Sequence, residues 1–313
     1  MRRPCSARRR AGLRESVVID VSIVIPVFNA ERSLGACLDG ILRQDLSTSR
    51  CEVIVVDNNS TDASMSITRR HPAVRLLSEP RQSAYAARNR GLSEAKGKWI
   101  VFTDPDCVPR HDWLRRLTER MADPAAKVVM GRDRPAGRST AVRLLGEYDH
   151  RKETFVLASS DAAIYYGHTN NLIARREAFD EVGVFDEGAR GSDVIFVQRV
   201  LARYGTQAVQ YQPDAVVDHF EIRSASVYFR KAFIYGRSAH RYSSIVAARP
   251  LRNAERMHIF RDTIAASGLS RTETGYLFVL LMAGVACYEV GWLAAASGTH
   301  WNVMMNGKDK MTG

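Results

Sequence analysis

The first half of the chain alternates between short β-branched runs and segments with apolar residues every three or four positions. Residues 17–26 form an almost unbroken apolar run closing on Pro26, the pattern of a buried strand. Residues 29–42 place Leu34, Cys37, Leu38, Ile41 and Leu42 at helical spacing, with Asn29 as the expected N-cap. A second buried strand is expected at 51–57, followed by a polar turn at 58–62 that opens another helix. A short strand around 74–77, a helix over 83–96 and a strand over 99–104 continue the series. This alternation predicts an α/β fold with a mostly parallel, Rossmann-like sheet flanked by helices. Ligands of such sheets bind outside the carboxyl ends of the strands. Asn29, Asp57, and Asp104 with Asp106 stand at three of those ends, so they are expected to meet in one crevice.

The pattern weakens over 121–167, which reads as mixed strand, helix and loop, and recovers over 170–203 with a helix from about Asp193. A basic amphipathic stretch covers 227–247, and 276–296 is almost unbroken apolar sequence. The expected division is a basic flexible arm at 1–16, an α/β domain at 17–222 and a C-terminal helical region at 223–313. The apolar stretch approaches the roughly 20 residues needed to cross a bilayer. Glu289 lies inside it and Gly284 and Gly291 interrupt it. Membrane association is the expectation, peripheral with the cations of 227–247 at the lipid surface in preference to a full span; whether 276–296 spans stays open, and a buried or oligomer-packing helix is the further alternative.

Composition narrows the picture further. The chain has 313 residues, is 45% hydrophobic, and carries a net charge of +11. It can bury a real core, and its charge points to an anionic partner: nucleic acid, nucleotide phosphate or anionic membrane. Arg2, Arg3, Arg8, Arg9, Arg10 and Arg14 crowd the start with no hydrophobic stretch among them, which excludes a signal peptide. They read as a solvated arm or an electrostatic tether to lipid. Five scattered cysteines without a CxxC pair fit a reducing cytoplasm.

Candidate chemistry begins at Asp104-Pro105-Asp106, directly after the fourth strand. Two carboxylates so placed can face one hard cation, and Mg²⁺ or Mn²⁺ prefers oxygen ligands and bridges substrate phosphates. Ordinary turns show the same spacing, so its surroundings decide. Residues 21–29 (VSIVIPVFN), 52–62 (EVIVVDNNSTD), 87–92 (ARNRGL) and 95–107 (AKGKWIVFTDPDC) resemble the family 2 glycosyltransferases, in the family's order and at similar spacing. The resemblance runs over residues 20–220 and implies a GT-A-like fold for the α/β domain.

Position by position, the resemblance implies the following. Pro26, Phe28 and Asn29 match the first-strand motif beside the donor base, with Phe28 placed to stack on uracil. Asp57 matches the acidic residue that contacts the base, and Arg88 a basic residue near the nucleotide. Asp104 and Asp106 match the D-x-D that holds metal and donor, with Asp106 as direct ligand, and His219 matches the family's late metal-ligand histidine. Residues 167–176 resemble the acceptor-side segment, which assigns Asn170 and Asn171 to the acceptor. Gly191-Ser192-Asp193 stands where the family shows Gly-Glu-Asp: Asp193 is retained as catalytic base, while Ser192 departs from the pattern on the acceptor side.

These roles imply a Mn²⁺- or Mg²⁺-assisted enzyme that moves a sugar from a nucleotide-sugar, UDP-linked by expectation, to a saccharide or lipid-linked acceptor at the cytoplasmic face of a membrane. One base without a second nucleophilic carboxylate predicts inversion at the anomeric carbon. The Gln-x-x-Arg-Trp motif of processive relatives is absent from this sequence, and Arg230, Lys231, Arg237, His240 and Arg241 occupy the region, which favours single additions. A nucleic-acid binder would explain the basic charge but not acidic residues gathered at strand ends, so no nucleic-acid partner is expected. A nucleotidyltransferase would want a glycine-rich loop where 26–30 stands. A catalytically inactive sugar-nucleotide binder is the remaining alternative, motivated by Ser192.

Overall fold

The computed structural model describes residues 19–45, 50–188 and 190–297; the basic arm of 1–16 lies outside the described residues. Strand β1 (Val21–Val27) is central to a parallel unit with β2 (Cys51–Asp57), β3 (Val74–Ser78) and β4 (Trp99–Thr103). The intervening helices are α1 (Leu34–Leu42), α2 (Ser64–Arg69) and α3 (Ala84–Glu94). Every residue of β1 is buried, as a strand covered on both faces requires. Alternate residues serve opposite cores. Ile23, Ile25 and Val27 pack with Leu34, Leu38, Trp113 and Leu117, whereas Val24, Val56 and Phe102 pack with Ala87, Leu92 and Phe196.

Beyond β4 the sheet changes character. Short β5 (Cys107–Pro109), helix α4 (Trp113–Met121), β6 (Val128–Pro135), α5 (Thr140–Leu157), β7 (Asn171–Arg175), α6 (Arg176–Val182), α7 (Ser192–Tyr204) and β8 (Val209–His219) follow. They complete an eight-stranded sheet of order β3-β2-β1-β4-β7-β6-β8-β5. β7 joins β4 and β6 antiparallel, β8 runs parallel to β6, and β5 pairs antiparallel with β8. This second half is what the weak pattern of 121–167 conceals: β6 is buried only at Val128–Gly131 and polar beyond.

Helices α8 (Ala225–Tyr242), α9 (Asn253–Ser267) and α10 (Arg271–Ala296) gather at one end. They share α5 with the sheet: Leu144 and Tyr148 of α5 pack on Ile259 and Leu277, and Leu145 on Leu280. The described part of the C-terminal region expected at 223–313, residues 223–297, is thus built onto α5 of the α/β body. α8 and α10 cross with backbones in contact. A Cβ on Gly236 would lie 1.9 Å from the Tyr288 carbonyl oxygen, and one on Gly291 2.0 Å from that of Phe233.

Two local expectations are corrected. Asn29 is not an N-cap. It sits in the left-handed region at φ 47°, where Asn is better tolerated than most residues, and α1 starts only at Leu34 with Ser33 before it. The cations of 227–247 do not all face outward either: Arg230, Lys231 and Arg241 line a cleft.

Candidate functional site

The cleft opens at the carboxyl ends of β1 and β4 and is closed on its far side by α8. Pro26 and Phe28 after β1, Tyr85 and Arg88 of α3, Asp104 and Asp106 after β4, and Glu221 line it opposite Lys231 and Tyr235.

Pairing of β5 with β8 sets the side where a metal could be held. Cys107 stands opposite His219, and the Phe220 N–H donates to the Asp106 carbonyl at 2.8 Å. His219 Nε2 therefore lies 3.8 Å from Asp106 Oδ2 and 3.7 Å from Glu221 Oε2. Its Nδ1 is 2.9 Å from Asp133 Oδ2, two residues along β6 from the strand partner of His219. Burial opposes the charged imidazole, but Asp133 overrides it and pushes His219 up to about 10. The same pair, against burial, holds the Asp133 carboxyl down at about 2. Burial pushes the Asp106 carboxyl up, with His219 opposing and Asp104 adding to the rise.

This donor set fits a divalent cation. An ion with ligands at about 2.1 Å spans a 3.8 Å carboxylate–imidazole pair, and a carboxylate on the second ring nitrogen is the usual support of a metal-bound histidine. Asp106, Cys107 and His219 form the one such cluster among the described residues. Burial keeps the Cys107 thiol protonated, which leaves the oxygen and nitrogen atoms as the ligands for a hard ion. Asp104, expected beside Asp106 on the metal, is held instead by Arg88 Nη2 at 2.5 Å.

Arg88 is 5% exposed, yet its Nε has no hydrogen-bond partner among the described residues. One turn earlier on the same face of α3, the Tyr85 hydroxyl donates to Asp193 Oδ1 at 3.0 Å. Asp193 occupies the first turn of α7 behind Tyr85. Burial raises its carboxyl above the ordinary carboxylate range, against the pull of Arg88 and the Tyr85 hydrogen bond. Gly191 makes that position reachable: its φ is 88°, and a Cβ there would meet the Tyr242 ring at 2.6 Å.

Other expected site residues serve the scaffold. Asn29 Oδ1 accepts from the Thr61 N–H at 2.8 Å, and Asp57 Oδ1 from the Ser60 N–H at 3.0 Å, so both fix the turn after β2 beside the cleft. Asn171 does not face an acceptor. It is fully buried, accepts from Trp113 Nε1 at 2.8 Å and donates to the Arg132 and Ala215 carbonyls. Asn170 is buried between Asp133 and His168, where its amide supports the His219 side. Ser192, also fully buried, accepts from the Asp186 N–H and holds the loop before α7.

Sequence reasoning missed Tyr85, Asp133, Glu221 and the cleft-facing role of Lys231. Lys231 Nζ binds Glu221 Oε2 at 2.7 Å. Glu221 and Lys231 lie only ten residues apart and beside His219, a signal available in the sequence; Asp133 carried none before its register with β8 was known.

Comparisons with known proteins bear on the family and the fold. The family model for glycosyl transferase family 2 matches residues 22–183. The chain is 30% identical over 188 residues to the glycosyltransferase AglE of Haloferax volcanii, covering 57% of this chain and 60% of AglE. It is 28% identical over 225 residues to the succinoglycan biosynthesis protein ExoO of Rhizobium meliloti, covering 67% and 63% of the two chains. The matches thus span less than two thirds of each relative's length. Among solved structures, the mannosyltransferase PcManGT from Pyrobaculum calidifontis, in complex with GDP-Man and Mn²⁺, superposes with a TM-score of 0.63 at 21% identity, covering 91% of this chain and 88% of that one. The fold is that of the GT-A enzymes, and with the family model spanning β1 to α6 the chain belongs to the family 2 glycosyltransferases.

Proposed function

We propose that the protein is an inverting glycosyltransferase that adds one sugar at a time from a nucleotide-sugar to an acceptor hydroxyl, with Asp193 as general base. The observation that carries this reading is a cleft lined by Asp106 and the buried Arg88, with His219 backing Asp106 and the burial-raised carboxylate of Asp193 hydrogen-bonded behind the lining Tyr85.

The donor base lies against Pro26 and Phe28, with the turn fixed by Asn29 and Asp57 beside it. A divalent cation, held by Asp106 and His219 with Asp104 adjacent, would supply neutralisation of the leaving diphosphate. Arg88 offers its Nε to the same phosphate charge, already aligned by Asp104. Asp193 takes the acceptor proton as the hydroxyl attacks. Its Oδ1 is oriented by Tyr85, and its burial lifts its basicity toward working pH. On this reading Asp193 is the one base and no cleft carboxylate acts as nucleophile, so the acceptor attacks the anomeric carbon directly as the diphosphate leaves, and the configuration inverts. The buried, structural place of Ser192 argues that its departure from the family pattern does not remove the base.

A UDP-sugar is the donor we favour, a saccharide or lipid-linked alcohol the acceptor class, and the cytoplasmic face of a membrane the place of action. Among the described residues the thiols of Cys37, Cys107 and Cys287 are free, which supports a reducing compartment. The test is product analysis by NMR with each candidate donor: a product of opposite anomeric configuration supports the reading, and a retained configuration rejects it.

A further inference from the structure

Helix α10 carries a face that the described molecule leaves bare. Leu277, Leu280, Gly284, Gly291 and Ala294 turn inward along nearly its whole length, onto α5, α8 and α9. On the opposite side Phe278, Val279, Met282, Val290 and Leu293 are between 45% and 62% exposed. Tyr276 and Trp292, toward the two ends, are exposed as well, and such amphipathic rings favour the headgroup level of a bilayer. Among the described residues α10 is the one helix long and apolar enough to cross a membrane.

We propose that this face docks on an anionic lipid surface, with α10 lying in the plane of the interface rather than crossing the bilayer. The packing of α10 decides between the two orientations. Its inward contacts run from Leu277 to Ala294, and at Gly236 and Gly291 the backbones of α8 and α10 touch. A crossing α10 would carry α8 and α5, with Arg230, Lys231 and Lys152, into hydrocarbon where such groups are not tolerated. Glu289 points the same way. It is exposed on the apolar side of α10, within reach of headgroups and water when the helix lies flat, and inside hydrocarbon when it crosses.

Charge selects lipid over a second copy as the occupant. Apart from Arg230, Lys231 and Arg241, which line the cleft, residues 225–296 hold six arginines against four acids. Two such surfaces repel, whereas anionic headgroups attract each exposed cation. Exposed Arg271 at the start of α10 and Arg261, beside the Phe260 ring that meets Phe278, flank the face. α8 separates this face from the cleft, to which it presents Lys231, Tyr235 and Arg241. The cleft therefore opens about one helix diameter, ~10 Å, from the lipid. On the transferase reading, this favours a lipid-anchored acceptor drawn from the same leaflet.

The experiment is flotation of the full chain with vesicles of phosphatidylcholine, with and without phosphatidylglycerol, for wild type and Val279→Glu/Leu293→Glu, a readout independent of activity. Binding to the anionic vesicles, weakened by salt and reduced about tenfold or more in the double variant at unchanged thermal unfolding, supports the proposal. So does release from membranes by alkaline carbonate, with a tag after Gly313 digested from the same side as the body. Failure to bind either vesicle overturns it. Carbonate resistance with the tag on the opposite side overturns it in favour of a span. A solution dimer that the double variant converts to monomer overturns it in favour of a second copy.

Discussion

Asp193 owes its chemistry to three neighbours: Gly191 starts the helix, Tyr85 binds one oxygen, and Arg88 lies close enough to oppose the effect of burial. On the proposed base role, Asp193→Asn removes the proton acceptor but keeps the shape. It should lower transfer by about 10²–10⁴-fold while nucleotide binding by calorimetry stays near wild type. The base works only when deprotonated, so activity is lost as pH falls through its pKa, and burial places that limb above the ordinary carboxylate range. Tyr85→Phe deletes a hydrogen bond that favours the carboxylate. It should move the acidic limb of kcat/KM upward by about one to two pH units; an unmoved limb means that another group is the base. On the other wall, Asp133 holds the Nδ1 side of His219 and so aims Nε2 at Asp106. Asp133→Ala should weaken Mn²⁺ affinity by about 10–100-fold in a direct metal titration.

At the scale of elements, the parallel half was legible and the mixed half was not. β1, β2 and β4 are β-branched runs buried on both faces, a signal that survives without any tertiary knowledge. β6 and β8 are half polar because they carry the site on their ends, so periodicity fails where function begins. The same reason explains Asn171, which shares a motif with Asn170. Its burial by Trp113 follows from a strand register that no spacing discloses. Trp113→Phe should cost about 1–3 kcal/mol in urea unfolding, since it leaves the Asn171 oxygen buried without its indole donor. Gly191→Ala combines an unfavourable φ with a clash against Tyr242. It should destabilise by about 1–3 kcal/mol and depress turnover more than donor binding, because it displaces the first turn that holds Asp193.

Across the whole molecule, Pro26, Phe28, Arg88, Asp104 and Asp106 of the ordered series meet in one cleft, backed by His219 and Asp193, because the sheet brings β1, β4 and β8 ends together while α8 closes the far side. Under the two proposals the net charge of +11 has two destinations, the phosphates of a donor inside the cleft and an anionic surface beside α10. The measurement that tests the central claim most directly is release of nucleoside diphosphate from a panel of UDP-, GDP- and dTDP-sugars with Mn²⁺ and a lipid and glycan extract as acceptor, for wild type and Asp193→Asn. The account predicts release from at least one donor, lowered about 100-fold or more in the variant while the variant still binds that nucleotide. A wild-type protein that releases nothing from any donor, or a variant that turns over at the wild-type rate, contradicts it.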